Sequence, residues 1–434
     1  MPKASKIERG ASCFNKVGSV ASCLPVRLGQ MPTVWAILTI VMLSCAVKLG
    51  YIAAFDGGLT KFPAEGTDSQ FYDAAARVIL KSGVYGLNPG RSTTVMPPGQ
   101  SFFLATLYSI SHGSIAFAKL AHVGVLTLVS VLVYFTGKTI VSASVGFWAA
   151  ILTAVDPAQA YLSGTFLSEP LFIFFVILAI YFLVLKEPVE ITTWHAIGAG
   201  FCFAIAGLTR NQGWLFSIFL MVGAIITKGR LISIRKAAII LIVTAVVIAP
   251  WSYRNYLVSG HFITVSSEGG LTLWACNNPE FNYRPPAPMS KPIYAAPPNL
   301  DEWELDHYYR QKAIEWIKQH PGTFLINGFK KLSVLFHWDP KSLRPEVSKV
   351  YRMIGLFPYG LMVPFIFFGL IANLNNQRFR IIYLYILFTI ILTVLFCGDS
   401  RLRAPIQPYL YLFGVVGLHQ LVLSTTRTQT NPNV

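Results

Sequence analysis

Residues 66–98 read GTDSQFYDAAARVILKSGVYGLNPGRSTTVMPP, a polar, charged stretch between two long apolar runs. Asp68 opens a short amphipathic helix whose stripe, Phe71, Ala74, Ala75, Val78 and Ile79, suits a membrane surface. Tyr72 follows Asp68 by one helical turn, so the two share a face. Asp68 either caps the helix or is free for chemistry, because Thr67 and Gln70 already supply a capping box. A turn-rich segment with Gly83, Gly86 and Asn88-Pro89-Gly90 leads to Pro97-Pro98 at the mouth of the next apolar run. A carboxylate at the outer edge of a bilayer can meet a lipid-borne substrate.

The surrounding chain requires a membrane. Of 434 residues, 54% are hydrophobic and 12% charged, with a mean hydropathy of +0.54; soluble domains carry about 25% charge. The net charge of +16 is scattered among the apolar runs. That pattern fits orientation signals and contact with anionic lipid rather than nucleic acid. Six cysteines form no CxxC pair and, with eight histidines, show no zinc-ligand spacing. Cys276 falls in an outer loop and Cys397 at its membrane edge, and nothing in the sequence argues for a disulfide between them. No P-loop, dinucleotide fingerprint or G-x-S-x-G elbow is present.

A span needs about 20 apolar residues. Residues 1–33 read as a basic cytoplasmic tail and 34–251 as an N-terminal transmembrane module containing the outer loop 55–97. Residues 252–350 form a large outer loop, 351–424 the C-terminal transmembrane helices and 425–434 a cytoplasmic tail. The first span is Val34–Ala54, with Lys48 snorkelling near its outer end. Asp156-Pro157 breaks the apolar run between 98 and 170, and broken helices at membrane depth line cavities. Apolar segments at 194–208 and 212–226 form a hairpin, and 237–251 ends at the outer face. The basic loop 228–236 faces inward. An amphipathic helix over 301–319 presents Trp303, Tyr309, Ile314 and Ile317 to the interface.

Charged residues at the outer ends of these spans are the remaining site candidates. Ser168-Glu169-Pro170 places a carboxylate at a helix start, either for the helix dipole or for a ligand. Arg210 sits at the outer turn of the hairpin, as an interfacial anchor or a functional cation. Arg254, and Glu268 in the turn Ser266-Ser-Glu-Gly-Gly270, follow the 237–251 segment. Asp156 is a weaker candidate. Arg401 and Arg403 lie outside against the usual charge bias; two apart in an extended segment, they would point to one side and grip one phosphate by planar forks.

The acidic residue before Tyr72, the Gly83-Val-Tyr-Gly86 turn, Pro97-Pro98, Ser168-Glu-Pro170, Trp251-Ser-Tyr-Arg-Asn255 and the basic-then-Pro segment at 401–405 occur in one order. In that order the chain resembles the GT-C membrane glycosyltransferases over about 35–424. It is most similar to family 39, the protein O-mannosyltransferases and lipid A aminoarabinose transferases. Relatives commonly carry Asp-Glu at the first-loop site where this chain has Asp68-Ser69. The resemblance implies an all-α polytopic bundle of about 10–12 transmembrane helices with two outer loops carrying amphipathic surface helices. It implies a sugar donor on a polyprenyl phosphate, undecaprenyl in a bacterium, and an acceptor hydroxyl on protein, glycan or lipid. Asp68 would be the base of an inverting transfer; Tyr72, Glu169, Arg210, Arg254, Glu268, Arg401 and Arg403 would bind substrate. The active site would face the periplasm from the inner membrane. Relatives differ in metal use, so a divalent cation is an option the sequence leaves open. The rival class, a non-enzymatic lipid or glycan transporter or flippase, predicts internal repeats and midplane charges; the sequence shows no such halves, and its charges cluster at the outer surface.

Overall fold

The computed structural model describes residues 31–63, 67–186, 191–281, 291–337 and 356–430. Among the described residues every regular element is helical and no strand occurs. The order is α1 Thr33–Phe55, α2 Thr67–Ser82, α3 Gly99–Ser111, α4 Ile115–Ile140, α5 Ala143–Ala154, α6 Pro157–Ser163, α7 Glu169–Val184 and α8 Thr193–Thr209. There follow α9 Gln212–Ile226, α10 Ile234–Ser259, α11 Gly269–Ala275, α12 Glu302–Gln319, α13 Pro321–Leu335, α14 Leu361–Ala372, α15 Arg380–Leu395 and α16 Gln407–Thr430. Among the described residues, four helical segments, Thr33–Phe55, Ile115–Ile140, Ile234–Ser259 and Gln377–Leu395, are long and apolar enough to cross a bilayer. Shorter apolar helices pack between them. This is a polytopic membrane protein.

The bundle closes by close backbone approach, since in lipid apolar burial gives helices no net drive to associate. A Cβ at Gly369 on α14 would lie 2.0 Å from the Phe413 carbonyl oxygen on α16, and one at Gly417 would lie 2.2 Å from that of Phe365. Gly137 and Gly146 similarly let α4 and α5 touch. A buried ion pair staples α1 to α4: Lys119 of α4 pairs with Asp56 just after α1 and also donates to the Gly58 carbonyl, 3.0 Å away. Both side chains are buried, which a membrane interior tolerates only for paired charges.

Several expectations need correction. Lys48 does not snorkel; it is fully buried on α1 and donates to Ser44 at 2.6 Å. Helix α2 does not offer its apolar stripe to lipid. Tyr72, Ala75, Ala76 and Val78 are buried, and Tyr72 and Ala76 cluster with Leu104, Ala105 and Tyr108 of α3. Thr67 begins α2, but its side chain, and with it the capping box, lies outside the described residues. Helix α10 passes through Pro250 to Ser259, so the boundary at 251/252 falls inside a helix. A proline removes a single N–H, and the turns beyond it are held from outside by Thr264, Ile263 and Val265 carbonyls bonded to Ser252 and Asn255. The outer region also contains α11 and α13, which the sequence reading treats as loop. On α12, Tyr309 is buried with Trp274, Tyr294 and Trp316 rather than facing the interface, and Trp303 stacks on His261. The last helix runs to Thr430, into the tail expected over 425–434; residues 431–434 of that tail and residues 1–30 of the tail expected over 1–33 lie outside the described residues.

Gly417→Val is expected to lower stability by about 1–3 kcal/mol through overpacking, read as an earlier thermal transition in detergent. Leu418→Val, at an exposed neighbouring position, should melt like the wild type.

Candidate active site

The site begins at a kink in the broken region. Glu169 is the first residue of α7 and is buried there. A buried carboxylate requires compensation, and two arginines from distant parts of the chain supply it. Arg210, at the C-terminal cap of α8, places Nη1 2.9 Å from Glu169 Oε1 and 3.1 Å from Ser168 Oγ. Arg401 places Nε 2.8 Å from the same oxygen. Arg401 then reaches on, its Nη2 3.7 Å from Oδ2 of Asp68. Asp68 is in the first turn of α2 and is partly exposed, whereas Glu169 is not. The cluster thus grades from a buried anion through two cations to a carboxylate at the rim.

Local structure sets each member. Ser69, beside Asp68, accepts the Phe166 amide at 3.1 Å, which ties α2 to the segment leading into Glu169. The Ser69 hydroxyl thereby fixes one loop on the other. Tyr72 is buried one turn from Asp68, with Ser168 alongside; burial, and then Glu268, push its phenol above the usual range. Asp399 caps the short turn Ser400–Arg403 by accepting the Arg401 amide at 2.8 Å.

Glu268 caps α11 and is half-buried. Burial pushes its carboxyl up to about 7; Arg210 acts against that shift, and Asp68 and Asp306 add to it. The turn that carries Glu268 is held at almost every residue. Ser267 N donates to the Thr94 carbonyl at 2.8 Å, Asn211 Nδ2 to Ser266 Oγ at 2.7 Å, and Gly270 N to Asp306 at 2.5 Å.

Two arginines expected at the substrate are elsewhere. The 400–403 segment is a helical turn rather than extended, so Arg403 points away from Arg401. Its Nη1 bonds the Leu335 and His337 carbonyls at 3.0 and 2.6 Å, and its guanidinium lies 3.7 Å over the Tyr359 ring. Arg254 bonds the Thr93 carbonyl at 2.7 Å and the Tyr85 carbonyl at 3.1 Å, and stacks over Trp251. It fastens the first outer loop to α10. Asp156 caps α6 through the Gln159 amide at 3.0 Å and receives the Tyr411 hydroxyl, a buried structural role.

Sequence reasoning missed Glu302, the first residue of α12. Its carboxylate accepts Thr93 Oγ1 at 2.7 Å, Thr94 N at 2.6 Å and Thr94 Oγ1 at 2.9 Å. With Arg254 on the Thr93 carbonyl, it clamps the segment that also binds Ser267. The amphipathic pattern over 301–319 places a helix start here, and nothing local marks Glu302 for a partner 208 residues away.

Among the described residues no group of three or more His, Cys, Asp or Glu side chains is arranged to hold a metal ion. Two carboxylates of the site, Asp68 and Glu169, both face the Arg401 guanidinium. The residues present therefore suit an anion between arginines better than a divalent cation, and no step below runs through a metal.

With this geometry in hand, the likeness to known proteins is informative. Residues 95–253 match the family model described as dolichyl-phosphate-mannose-protein mannosyltransferase. No curated protein matches the chain. The archaeal oligosaccharyltransferase AglB from Archaeoglobus fulgidus, in complex with an inhibitory peptide and a dolichol-phosphate, superposes with a TM-score of 0.58 at 12% identity, covering 93% of this chain and 52% of its own. The same organism's oligosaccharyltransferase tethered to an acceptor peptide gives a TM-score of 0.58 at 11% identity, covering 92% of this chain and 51% of its own. ArnT from Cupriavidus metallidurans bound to undecaprenyl phosphate superposes less well, with a TM-score of 0.44 at 14% identity over 94% of this chain and 80% of its own. The chain spans about half the length of the archaeal enzymes it matches. Its fold is that of the GT-C membrane glycosyltransferases.

Because the folded protein holds the Glu268 proton more tightly than an unfolded chain, where 4.5 is the ordinary value, Glu268 contributes stability below about 4.5 that is lost as pH rises through about 7. Glu268→Gln is therefore expected to melt close to wild type at pH 5 and above it at pH 8.5. Equal melting differences at both pH values would mean that Glu268 is ionised throughout.

Proposed function

We propose that this protein transfers a sugar from a polyprenyl-phosphate donor to a hydroxyl acceptor at the outer face of the membrane. The observation that carries this reading is the convergence of Asp68, Arg401, Glu169 and Arg210 within a GT-C fold. The match of residues 95–253 to a mannosyltransferase family supports the reaction class. The donor would be undecaprenyl-linked if the source is bacterial. The acceptor is a protein, a glycan or a lipid of the envelope, reached from the periplasmic side of the inner membrane.

In this mechanism the guanidinium groups of Arg401 and Arg210 hold the donor phosphate, while Glu169 keeps both forks oriented from behind. A guanidinium has five N–H donors, so each can bind Glu169 and a phosphate together. Asp68 takes the proton of the acceptor hydroxyl as its oxygen bonds to the anomeric carbon. The bond from that carbon to the phosphate oxygen breaks with inversion, and the electron pair leaves on the phosphate. The arginines act most strongly at that moment, because charge grows on the leaving group. Arg403 and Arg254 support the site without touching substrate.

Purified Asp68→Asn should keep its melting point while initial transfer rates fall about 10²-fold or more. In the same assay Arg401→Lys should raise the donor KM about tenfold and leave the acceptor KM alone, because lysine keeps the charge but loses the fork. Near-normal turnover by Asp68→Asn would sink the assignment of the base.

Orientation is tested separately. On a cysteine-free background, Lys291→Cys should react with an impermeant maleimide added to intact cells and Lys228→Cys should not. Labelling of position 228 from outside would place Asp68 on the wrong side of the membrane.

A further inference from the structure

Arg401 and Glu268 belong to segments far apart in the chain, yet one covalent path joins them. Glu268 caps α11, and Cys276 closes the other end of that seven-residue helix. Cys276 forms a disulfide with Cys397, whose Cα lies 5.3 Å away and 121 residues further along the chain. Cys397 is four residues before Arg401, and only Gly398, the cap residue Asp399 and Ser400 separate them. The strap therefore runs from Glu268 along α11, across the sulfurs and into the turn that aims Arg401.

Weaker interactions converge on the same joint. Asn277, next to Cys276, donates to the Leu395 carbonyl at 2.9 Å. Lys331 of α13 is buried; it donates to Asn277 Oδ1 at 2.9 Å and to the Val394 carbonyl at 3.1 Å. Gly398 passes so close to Lys331 that a Cβ there would lie 2.4 Å from the Lys331 carbonyl oxygen. These contacts seat the 394–398 segment on the outer helices. They are neutral or single-ion hydrogen bonds, which protein motion breaks and remakes, whereas the disulfide is the permanent link. Cys45 and Cys202 are free thiols elsewhere in the fold.

We propose that Cys276 and Cys397 are a positioning pair for the donor site, holding Arg401 at the distance from Glu268 that a polyprenyl phosphate requires. The proposal rests on the reading of Arg401 as a phosphate ligand. It also assigns the joint to an oxidising compartment, since such a bond persists only there.

The experiment uses the full-length protein in detergent. Non-reducing peptide mapping by mass spectrometry should find Cys276 linked to Cys397. Binding of undecaprenyl phosphate is then measured on oxidised protein, on protein reduced with a phosphine below its melting temperature, and on the Cys276→Ala/Cys397→Ala double variant. Reduction should raise the Kd about tenfold, the size of one loosened charge-assisted hydrogen bond. Reoxidation should restore it, and the double variant should bind like the reduced protein and ignore the reductant. A merely structural bond would lower the melting point of the double variant with its Kd unchanged, and that result overturns the proposal. Absence of the linked peptide overturns it as well. If oxidised protein binds no lipid phosphate, the donor reading and this proposal both fall; if it binds equally in all three forms, only the positioning role falls.

Discussion

The site depends on one buried carboxylate. Glu169 starts a helix inside the protein, and its charge has to be met there or not exist. Arg210 and Arg401 meet it at 2.9 and 2.8 Å. Because they arrive from α8 and from the turn before α16, satisfying Glu169 joins the middle of the chain to its last spans. The same requirement sets two cations beside one buried anion, and Asp68 at the rim brings the cluster to two carboxylates for two guanidinium groups. Asp68 approaches from a third segment at 3.7 Å, far enough to keep an independent role.

Around this cluster the protein invests mostly in neutral hydrogen bonds and a few charged ones that act on backbone. Arg254 and Glu302 bind the same pair of threonines from two sides, one through a carbonyl and the other through hydroxyls and an amide. Arg403 likewise spends its donors on two carbonyls. Guanidinium groups suit this task because a planar fork can bridge two acceptors. Of the four candidate arginines, Arg210 and Arg401 meet Glu169, Arg401 also faces the candidate base, and Arg254 and Arg403 hold the surrounding backbone. Their chemistry is identical, and their partners alone separate them.

Residues close in sequence were easiest to read. The helix starts at Glu169 and Gln212, the break at Asp156 and the cap Arg210 follow from local patterns, because they concern bonds within one or two turns. Errors arose where a long-range partner overruled a local tendency. Lys48 would snorkel on an isolated helix, but α4 covers it. The α2 stripe would suit lipid, but α3 offers a better-packed apolar face. Arg401 and Arg403 would align in a strand, but Asp399 caps a helical turn and sends them apart.

By itself, the sequence determined that this is a polytopic all-helical membrane protein. Hydropathy and turn chemistry are properties of short windows, and the bilayer enforces them. It also carried, in order, the motifs by which the chain resembles the glycosyltransferases, and it nominated Asp68, Tyr72, Glu169, Arg210, Arg254, Glu268, Arg401 and Arg403 alike. Tertiary structure alone decided which of those charges meet. It brought Glu169 between two arginines, gave Arg254 and Arg403 to backbone carbonyls, supplied Glu302, and joined Cys276 to Cys397 across 121 residues. Such pairings depend on how helices cross and where loops fold back, and no local spacing in the chain encodes a distance between segments that only packing brings together.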